Sequence, residues 1–132
     1  AEVMDIMGKV NGKNALIVDD LVSTAGSLME AVRALKEAGA KEVFAAVTHA
    51  VLSGPAKERL EASPLKELVV TDTIPIPAGR QIRKIKVLSV AGLFAEAIRR
   101  IHQEESLSVL FHDHWEEASP SAKEPLEKLR RR

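Results

Sequence analysis

The sequence contains no cysteine and no tyrosine, and it has only three phenylalanines and one tryptophan among its 132 residues. The lack of cysteine excludes disulfide bonds and thiolate chemistry, and it leads us to expect a cytoplasmic protein. The shortage of aromatic side chains argues against a surface that stacks the bases of single-stranded nucleic acid.

An excess of charge of one sign is also lacking, because 19 basic residues balance 19 acidic ones. We therefore expect neither a nucleic-acid partner nor a membrane partner on the basis of charge. No apolar run approaches the ~20 residues of a membrane-spanning helix, and we expect no signal peptide. The hydrophobic fraction of 45% and the length are typical of one compact domain.

Short apolar runs alternate with segments of helical periodicity. This alternation predicts an α/β fold in which helices flank a parallel sheet of about four strands. The first two runs, 15–18 and 43–47, are continuously apolar, so we expect both of these strands to be buried, the first on both faces. The predicted strands lie at residues 15–18, 43–47, 68–71 and 85–88, and the predicted helices lie at 28–38, 53–61 and 92–102.

Local signals refine these elements. Leu28, Ala31, Val32, Leu35 and Ala38 share one face of the first helix, and Gly39 ends it. In the second helix, we predict Ser53 as the cap and Pro55 in the first turn. A hairpin is predicted within the first ten residues, with turns at Gly8 and Gly12, and a short strand is predicted at 107–111. Residues 112–132 form a charged segment that we interpret as a solvated tail.

The segment 19–27 combines the parts of a sugar-phosphate site at the carboxyl end of the first strand. Small residues let the backbone approach an anion, and the next helix presents free N–H groups. Hydroxyl groups add donors, and two carboxylates can accept bonds from ribose hydroxyls or hold Mg²⁺. The alternative is an ordinary strand end followed by a capped helix. The candidate binding residues are Asp19, Asp20, Ser23, Thr24, Ala25, Gly26 and Ser27.

Other polar residues have simpler interpretations. We expect a structural role for His49, although it follows a strand near the candidate site. Arg80, Arg83, Lys84 and Lys86 form a basic cluster that we interpret as a solvated face, with phosphate attraction as the alternative.

Residues 16–28, Leu-Ile-Val-Asp-Asp-Leu-Val-Ser-Thr-Ala-Gly-Ser-Leu, resemble the phosphoribosyl pyrophosphate motif of type I phosphoribosyltransferases. The wider pattern is similar to phosphoribosyl pyrophosphate synthetases (ribose-phosphate diphosphokinases) in particular. The segments that carry this resemblance are 2–4, 48–49, 53–56, 71–74, 88–90, 93–98 and 105–111.

The resemblance implies an incomplete phosphoribosyltransferase-like domain at residues 1–111, which is the C-terminal part of a synthetase. That family transfers diphosphate from ATP to ribose 5-phosphate in the presence of Mg²⁺, and it yields phosphoribosyl pyrophosphate and AMP. The loop 19–27 would bind ribose 5-phosphate, and Asp19 and Asp20 would address the ribose hydroxyls and the hydrated Mg²⁺. The resemblance further implies a homo-oligomer and a regulatory phosphate or ADP pocket that involves Ser106, Leu107, Ser108 and Phe111.

Two departures from the family pattern fall within the loop. Ser23 stands where the family usually has Asp, and Ser27 stands where it has Thr. The ATP-binding elements of the family have no counterpart in this sequence, so we expect the chain by itself to be inactive and to bind ribose 5-phosphate weakly. Two alternatives stay open: a non-catalytic binding or regulatory module that keeps the fold, and a nucleobase phosphoribosyltransferase.

Overall fold

The computed structural model describes residues 6–111, which fall into two compact units that divide between Leu88 and Ser89. The predicted tail at 112–132 lies outside the described residues, as do the first five residues of the predicted hairpin. Within the described residues, no helix is long and apolar enough to cross a membrane.

The first unit contains the predicted parallel sheet. Its four strands follow one another in chain order, and every neighbouring pair is parallel. Two helices connect the first three strands, so the predicted α/β alternation is confirmed. The strands are β1 (Ala15–Val22), β2 (Val43–Ala50), β3 (Glu67–Thr71) and β4 (Ile85–Leu88), and the helices are α1 (Gly26–Glu37) and α2 (Ala56–Ala62).

The core of the first unit lies between the sheet and these two helices. Because β1, β2 and β3 are adjacent and in sequence order, two right-handed crossovers place α1 and α2 on the same face of the sheet. Alternate residues of β2 and β3 point to that face and are buried, whereas the residues between them are partly exposed. The buried sheet residues are Val22, Val43, Ala45, Val47, Ala50, Leu68 and Val70.

The expectation that the first strand is buried on both faces is wrong. Leu16 and Val18 are 62% and 75% exposed, because they point away from the core that the crossover helices cover. The first two strands are also longer than predicted. Their pairing continues past the acidic residues, with Leu21 opposite His49 and Val22 opposite Ala50. Backbone pairing therefore extends the strands where side-chain polarity suggested an end.

Helix α1 confirms most of the predicted apolar face. Leu28 and Val32 are buried, and Met29 is buried as well, whereas Ala38 is exposed at the helix end. Gly39 ends the helix as predicted, since it adopts φ +89° and donates to the carbonyl of Lys36 at 3.0 Å.

Helix α2 begins later than predicted. Its N-cap is Pro55 and makes no side-chain capping bond, so the prediction of Ser53 as the cap is wrong. The carbonyl of Ser53 accepts a bond from the Ala56 amide, and its hydroxyl bonds elsewhere. The proline-rich segment that follows β3 forms no strand, and it leads into a 3₁₀ turn at Ala78–Arg80.

Neither the predicted hairpin nor the predicted strand at 107–111 is found among the described residues. Residues 6–14 contain turns and no strand, although Gly8 and Gly12 do adopt the positive φ of turn glycines. The predicted strand at 107–111 is instead a 3₁₀ turn at Ser108–Phe111. A short apolar run alone does not make a strand, because a strand also needs a partner for its backbone.

The second unit contains helix α3 (Ala91–His102), close to its predicted limits. Its apolar side chains Leu93, Phe94, Ile98 and Ile101 are exposed. Its polar residues form an ion-pair network in which Arg99 contacts Glu96 and Glu105, both at 2.9 Å, and Arg100 contacts Glu96 at 2.8 Å.

Candidate functional site

The segment after β1 turns directly into α1 and encloses a cavity of about 140 Å³. All five predicted residues from Ser23 to Ser27 line this cavity, and Asp19 contributes from the strand. Asp20 is exposed and does not line it, because neighbouring residues of a strand point to opposite faces. The remaining lining residues are the apolar Leu21, Val22, Leu28 and Val47.

Several backbone N–H groups of this loop are not bonded to the protein. Among the described residues, the amides of Thr24, Ala25, Gly26 and Ser27 have no protein acceptor. The first amide of the helix to bond is that of Met29, which donates to the Ala25 carbonyl at 3.1 Å. A helix of 12 residues also places partial positive charge at this end. The cavity therefore adjoins a row of donors suited to an anion.

Ala25 holds the loop in an uncommon conformation. It has φ 60° and ψ 15°, which is the left-handed region that usually requires glycine. The side chain is nevertheless buried, at 2% exposure. Such a residue costs about 1–2 kcal/mol relative to ordinary backbone, so neighbouring contacts must hold it in place.

The three loop hydroxyls differ in their contacts. The Ser23 hydroxyl lies 2.9 Å from the Ser53 hydroxyl and is therefore already engaged. Thr24 and Ser27 are exposed, and within residues 6–111 their hydroxyls have no hydrogen-bond partner. Thr24 and Ser27 thus keep hydroxyl donors for a ligand.

The loop after β2 supports the loop after β1 through backbone bonds. The amides of Val51 and Leu52 both donate to the Val22 carbonyl at 3.1 Å, and the Ser53 amide donates to the Ser23 carbonyl at 3.0 Å. Arg80 extends this support, since its guanidinium donates to the Leu52 carbonyl. The ends of β1 and β2 are thereby joined at the same edge of the sheet.

Asp19 stands at the rim of the cavity, and the exposed Asp20 follows it in the strand. The Asp20 amide donates to the Asp19 carboxylate at 2.8 Å, which fixes the orientation of the Asp19 side chain. In the part of the chain that the structure describes, no cluster of three His, Cys, Asp or Glu residues could form a protein-only metal cage. A single carboxylate such as that of Asp19 is nevertheless enough for Mg²⁺, which usually keeps several waters and takes one or two protein ligands.

His49 makes a structural contact near this edge. Its Nδ1 lies 2.9 Å from the Thr73 hydroxyl. Thr73 in turn donates to the Thr48 carbonyl at 3.3 Å, and the Thr71 hydroxyl donates to the same carbonyl at 2.7 Å. These bonds tie the ends of β2 and β3 together, as expected of a structural histidine.

The basic cluster is not simply a solvated face: that interpretation is wrong for Arg80 and Lys84, whereas Lys86 and Arg83 are exposed. Lys84 donates from its ammonium group to the carbonyls of Leu60, Glu61 and Ser63 at the end of α2. Arg80 binds the Leu52 carbonyl, and Lys86 pairs with Glu67 at 2.9 Å. Arg80 and Lys84 are thus half-buried and bonded to backbone carbonyls.

The candidate regulatory residues lie in the second unit. The hydroxyls of Ser106 and Ser108 are 2.8 Å apart, and Arg100 donates to the Ser106 carbonyl at 3.1 Å. Leu107 is half-buried, and Phe111 is 84% exposed. The turn is thus ordered by its own side chains.

The sequence analysis missed Arg59, which contacts the loop from α2. Its guanidinium donates to the Thr24 carbonyl at 3.0 Å. Arg59 lines a separate groove of about 370 Å³ between α1 and α2, which Gly26, Glu30 and Arg33 also line. The only sequence signal was indirect: consecutive right-handed crossovers bring the two helices together on one face.

Comparison with protein families gives a match to the phosphoribosyl synthetase-associated domain over residues 2–112. Two similar proteins are named ribose-phosphate pyrophosphokinase. The one from Caldanaerobacter subterraneus subsp. tengcongensis is 61% identical over 111 residues, and the one from Clostridium acetobutylicum is 58% identical over 113 residues. These alignments cover 84% and 86% of the chain but only 35% of either relative.

A solved structure agrees with these relatives. Phosphoribosylpyrophosphate synthetase from Mycobacterium smegmatis superimposes with a TM-score of 0.73 and 41% sequence identity. The match covers 74% of this chain and 33% of that one. The chain therefore spans about a third of the length of the proteins that it resembles.

Proposed function

Because the chain belongs to the phosphoribosyl synthetase-associated domain family, we propose that it supplies the ribose 5-phosphate site of a ribose-phosphate pyrophosphokinase. The whole enzyme would transfer the diphosphate of ATP to ribose 5-phosphate and release phosphoribosyl pyrophosphate and AMP. This reaction is proposed for the longer protein, since the chain matches only 35% of its relatives.

One observation carries the proposal: the cavity at the end of β1 adjoins four consecutive amides that lack a protein acceptor among the described residues. The first N–H groups of a helix have no acceptor within the helix, so a row of free donors at this point is suited to a phosphate. The volume of about 140 Å³ leaves room for a phosphate group and part of a sugar.

In this proposal two sets of groups in the loop bind different parts of the ligand. The amides of Thr24 to Ser27 and the hydroxyls of Thr24 and Ser27 hold the 5-phosphate. Asp19 and Asp20 accept bonds from the ribose hydroxyls at the rim. Ser23 contributes its backbone and not its hydroxyl, because Ser53 already engages that hydroxyl.

Mg²⁺ belongs to the same proposal. Asp19 and Asp20 would hold the hydrated ion indirectly, through its waters. When bound, the ion neutralises charge on the transferring phosphates. The chain's own contribution is to present these carboxylates, of which that of Asp19 is oriented by the Asp20 amide.

Further proposals follow the family resemblance. We assign residues 1–111 to one phosphoribosyltransferase-like domain, a regulatory anion pocket to Ser106, Leu107, Ser108 and Phe111, and a homo-oligomeric cytoplasmic state to the whole protein. ATP would bind through the other part of that protein, so the chain alone would release no AMP.

A non-catalytic binding module is the second candidate function. Ser23 favours it, because a hydroxyl that bonds to Ser53 replaces the usual carboxylate of the family loop. Both candidates share the sugar-phosphate site, and they differ in whether a protein that contains this chain together with an ATP-binding part forms AMP.

The binding site is tested by calorimetric titration of the chain with ribose 5-phosphate in the presence of Mg²⁺. Thr24→Val removes a hydroxyl donor at nearly constant volume, and Asp20→Ala removes one of the two carboxylates proposed to accept bonds from the ribose. We expect each change to weaken binding at least tenfold, which corresponds to one or two lost charge-assisted bonds.

Glu37→Ala is the matched control, since it removes an exposed carboxylate at the far end of α1, about 16 Å along the helix from the loop. It should leave the affinity unchanged. Equal affinities for the wild-type chain, Thr24→Val and Asp20→Ala would remove the loop from the binding site.

A further inference from the structure

Arg59 reaches the loop from α2, 35 residues later in the chain. Its Nη1 donates to the Thr24 carbonyl at 3.0 Å. The same nitrogen lies 3.4 Å from the point where a β-carbon on residue 26 would stand, so the guanidinium contacts the loop closely at Gly26. A charged donor makes a stronger bond to a carbonyl than a neutral one does.

The loop separates two spaces. On one side is the cavity of about 140 Å³ that Ser23 to Ser27 line, and on the other is the groove of about 370 Å³ between α1 and α2. Gly26 lines both spaces, whereas Arg59 lines only the groove. Arg59 therefore contacts the loop on the side opposite the proposed ligand.

The geometry of the peptide group links this contact to the cavity. A trans peptide is planar, so the Thr24 carbonyl and the Ala25 N–H point in opposite directions. A carbonyl fixed toward Arg59 directs the Ala25 N–H away from the groove. That N–H has no protein acceptor among residues 6–111, which leaves it available to a ligand.

Ala25 needs such a contact because its backbone is strained. With φ 60° the residue occupies a region that alanine seldom adopts, and the peptide could relax by rotating. Rotation would turn the Ala25 N–H out of the row of donors. The bond from Arg59 opposes that rotation, and the burial of the Ala25 methyl group does not, since it fixes no carbonyl.

We propose that Arg59 is a positioning residue that aims the Ala25 amide at the phosphate of the bound sugar phosphate without touching the ligand. This inference rests on the proposed function of the loop and extends it to α2. Arg59 raises phosphate affinity by organising the loop before binding, and its removal weakens every ligand that uses the phosphate position.

Arg33 provides a matched control within the same groove. It lies on α1, is exposed and lines the groove with Arg59, but within residues 6–111 its side chain makes no hydrogen bond or ion pair. A long-range effect of positive charge would appear on removal of either arginine. A positioning effect would appear only on removal of Arg59.

The test compares Arg59→Met, Arg59→Lys and Arg33→Met with the wild-type chain by calorimetric titration with ribose 5-phosphate and with inorganic phosphate. Methionine keeps the aliphatic stem and removes the donor. We expect Arg59→Met to weaken both ligands about tenfold, the factor that corresponds to one charge-assisted hydrogen bond. Arg59→Lys should recover part of the affinity, and Arg33→Met should change it less than twofold.

A spectroscopic readout separates positioning from a general loss of structure. In ¹H–¹⁵N spectra, phosphate should shift the Ala25 amide strongly in the wild-type chain and in Arg33→Met, and weakly in Arg59→Met. The chemical shifts of amides in β2 and β3 should be the same in all variants, because Arg59 is exposed and outside the core.

The two proposals fail on different results. Wild-type affinity in Arg59→Met, or equal losses of affinity in Arg59→Met and Arg33→Met, would overturn the positioning role of Arg59 but not the proposed binding site. A wild-type chain that binds neither ribose 5-phosphate nor inorganic phosphate would overturn the proposed function, and the role of Arg59 with it.

Discussion

The side chains of Ser23 and Ser53 join the ends of two neighbouring strands through hydroxyl oxygens that lie 2.9 Å apart. The two residues are also bonded through the backbone, since the Ser53 amide donates to the Ser23 carbonyl at 3.0 Å. Because Ser23 begins the loop that we propose to hold the phosphate, this pair transmits the position of the β2–α2 connection to the site.

A double-mutant cycle should measure the side-chain part of this link. We expect Ser23→Ala and Ser53→Ala to show a coupling energy of about 1 kcal/mol in urea unfolding, since one half-buried hydrogen bond is lost in either variant. The backbone bond is kept in both. Ser63→Ala shares no partner with Ser23 and is the control, so its effect should simply add. Additive effects of Ser23→Ala and Ser53→Ala would show that the contact between the two hydroxyls does not contribute to the free energy of unfolding.

Lys84 should contribute more to stability than Lys86, although both are lysines of the same segment. The Lys84 ammonium group donates to three carbonyls at the end of α2, the shortest bond being 2.6 Å to Ser63. We expect Lys84→Met to lower the free energy of unfolding by about 2 kcal/mol, because the carbonyls lose a charged, half-buried donor.

Lys86→Met is the comparison for that experiment. Lys86 pairs with Glu67 at 2.9 Å, but its side chain is 53% exposed. Solvent screens such a pair, so its loss should cost less than about 1 kcal/mol. Chemical denaturation of both variants would decide the matter, and equal losses would contradict the capping role of Lys84.

The ion pairs of α3 should weaken in acid. Hydrogen bonds from Arg99 hold the pKa of Glu96 well below its ordinary 4.5, at about 2, and they also lower the pKa of Glu105. The same contacts raise the pKa of Arg99. A lowered carboxyl pKa stabilises the folded state fully above pH 4.5, and this contribution is lost as the pH falls toward 2.

Carboxyl ¹³C titration would measure this directly. Glu96 should titrate near pH 2, and Glu105 should titrate below its ordinary range. Arg99→Met should move both midpoints upward, because the hydrogen bonds that Arg99 donates to the two carboxylates are gone, although Glu96 keeps its bond from Arg100. A Glu96 midpoint that is the same with and without Arg99 would sink this account of the network.

Much of the fold could be predicted from local patterns. The four strands, their parallel order and the end of α1 at Gly39 followed from apolar runs, helical spacing and the positive φ of one glycine. The predicted strand at 107–111 failed, since its apolar residues form a 3₁₀ turn. Residues 15–18 predicted a strand buried on both faces, but the crossover helices cover one face only, and Leu16 and Val18 are exposed.

The residues of the candidate site were predictable, but the hydrogen bonds that they make to distant residues were not. Small residues, hydroxyls and carboxylates in segment 19–27 identified the loop, and all of Ser23 to Ser27 do line one cavity. The sequence did not indicate that Ser53 engages Ser23, that Lys84 caps α2, or that Arg59 bonds to Thr24. Each of these contacts joins residues 21 to 35 positions apart, and no local pattern encodes such a pairing.

The sequence by itself determined the elements and the chemistry of the loop, because strand and helix periodicity, glycine turns and the donors of a short segment are properties of neighbouring residues. The tertiary structure decided which donors stay free and which are used. That division depends on where the crossovers place α2 against the loop, and so on contacts between residues that are far apart in the chain.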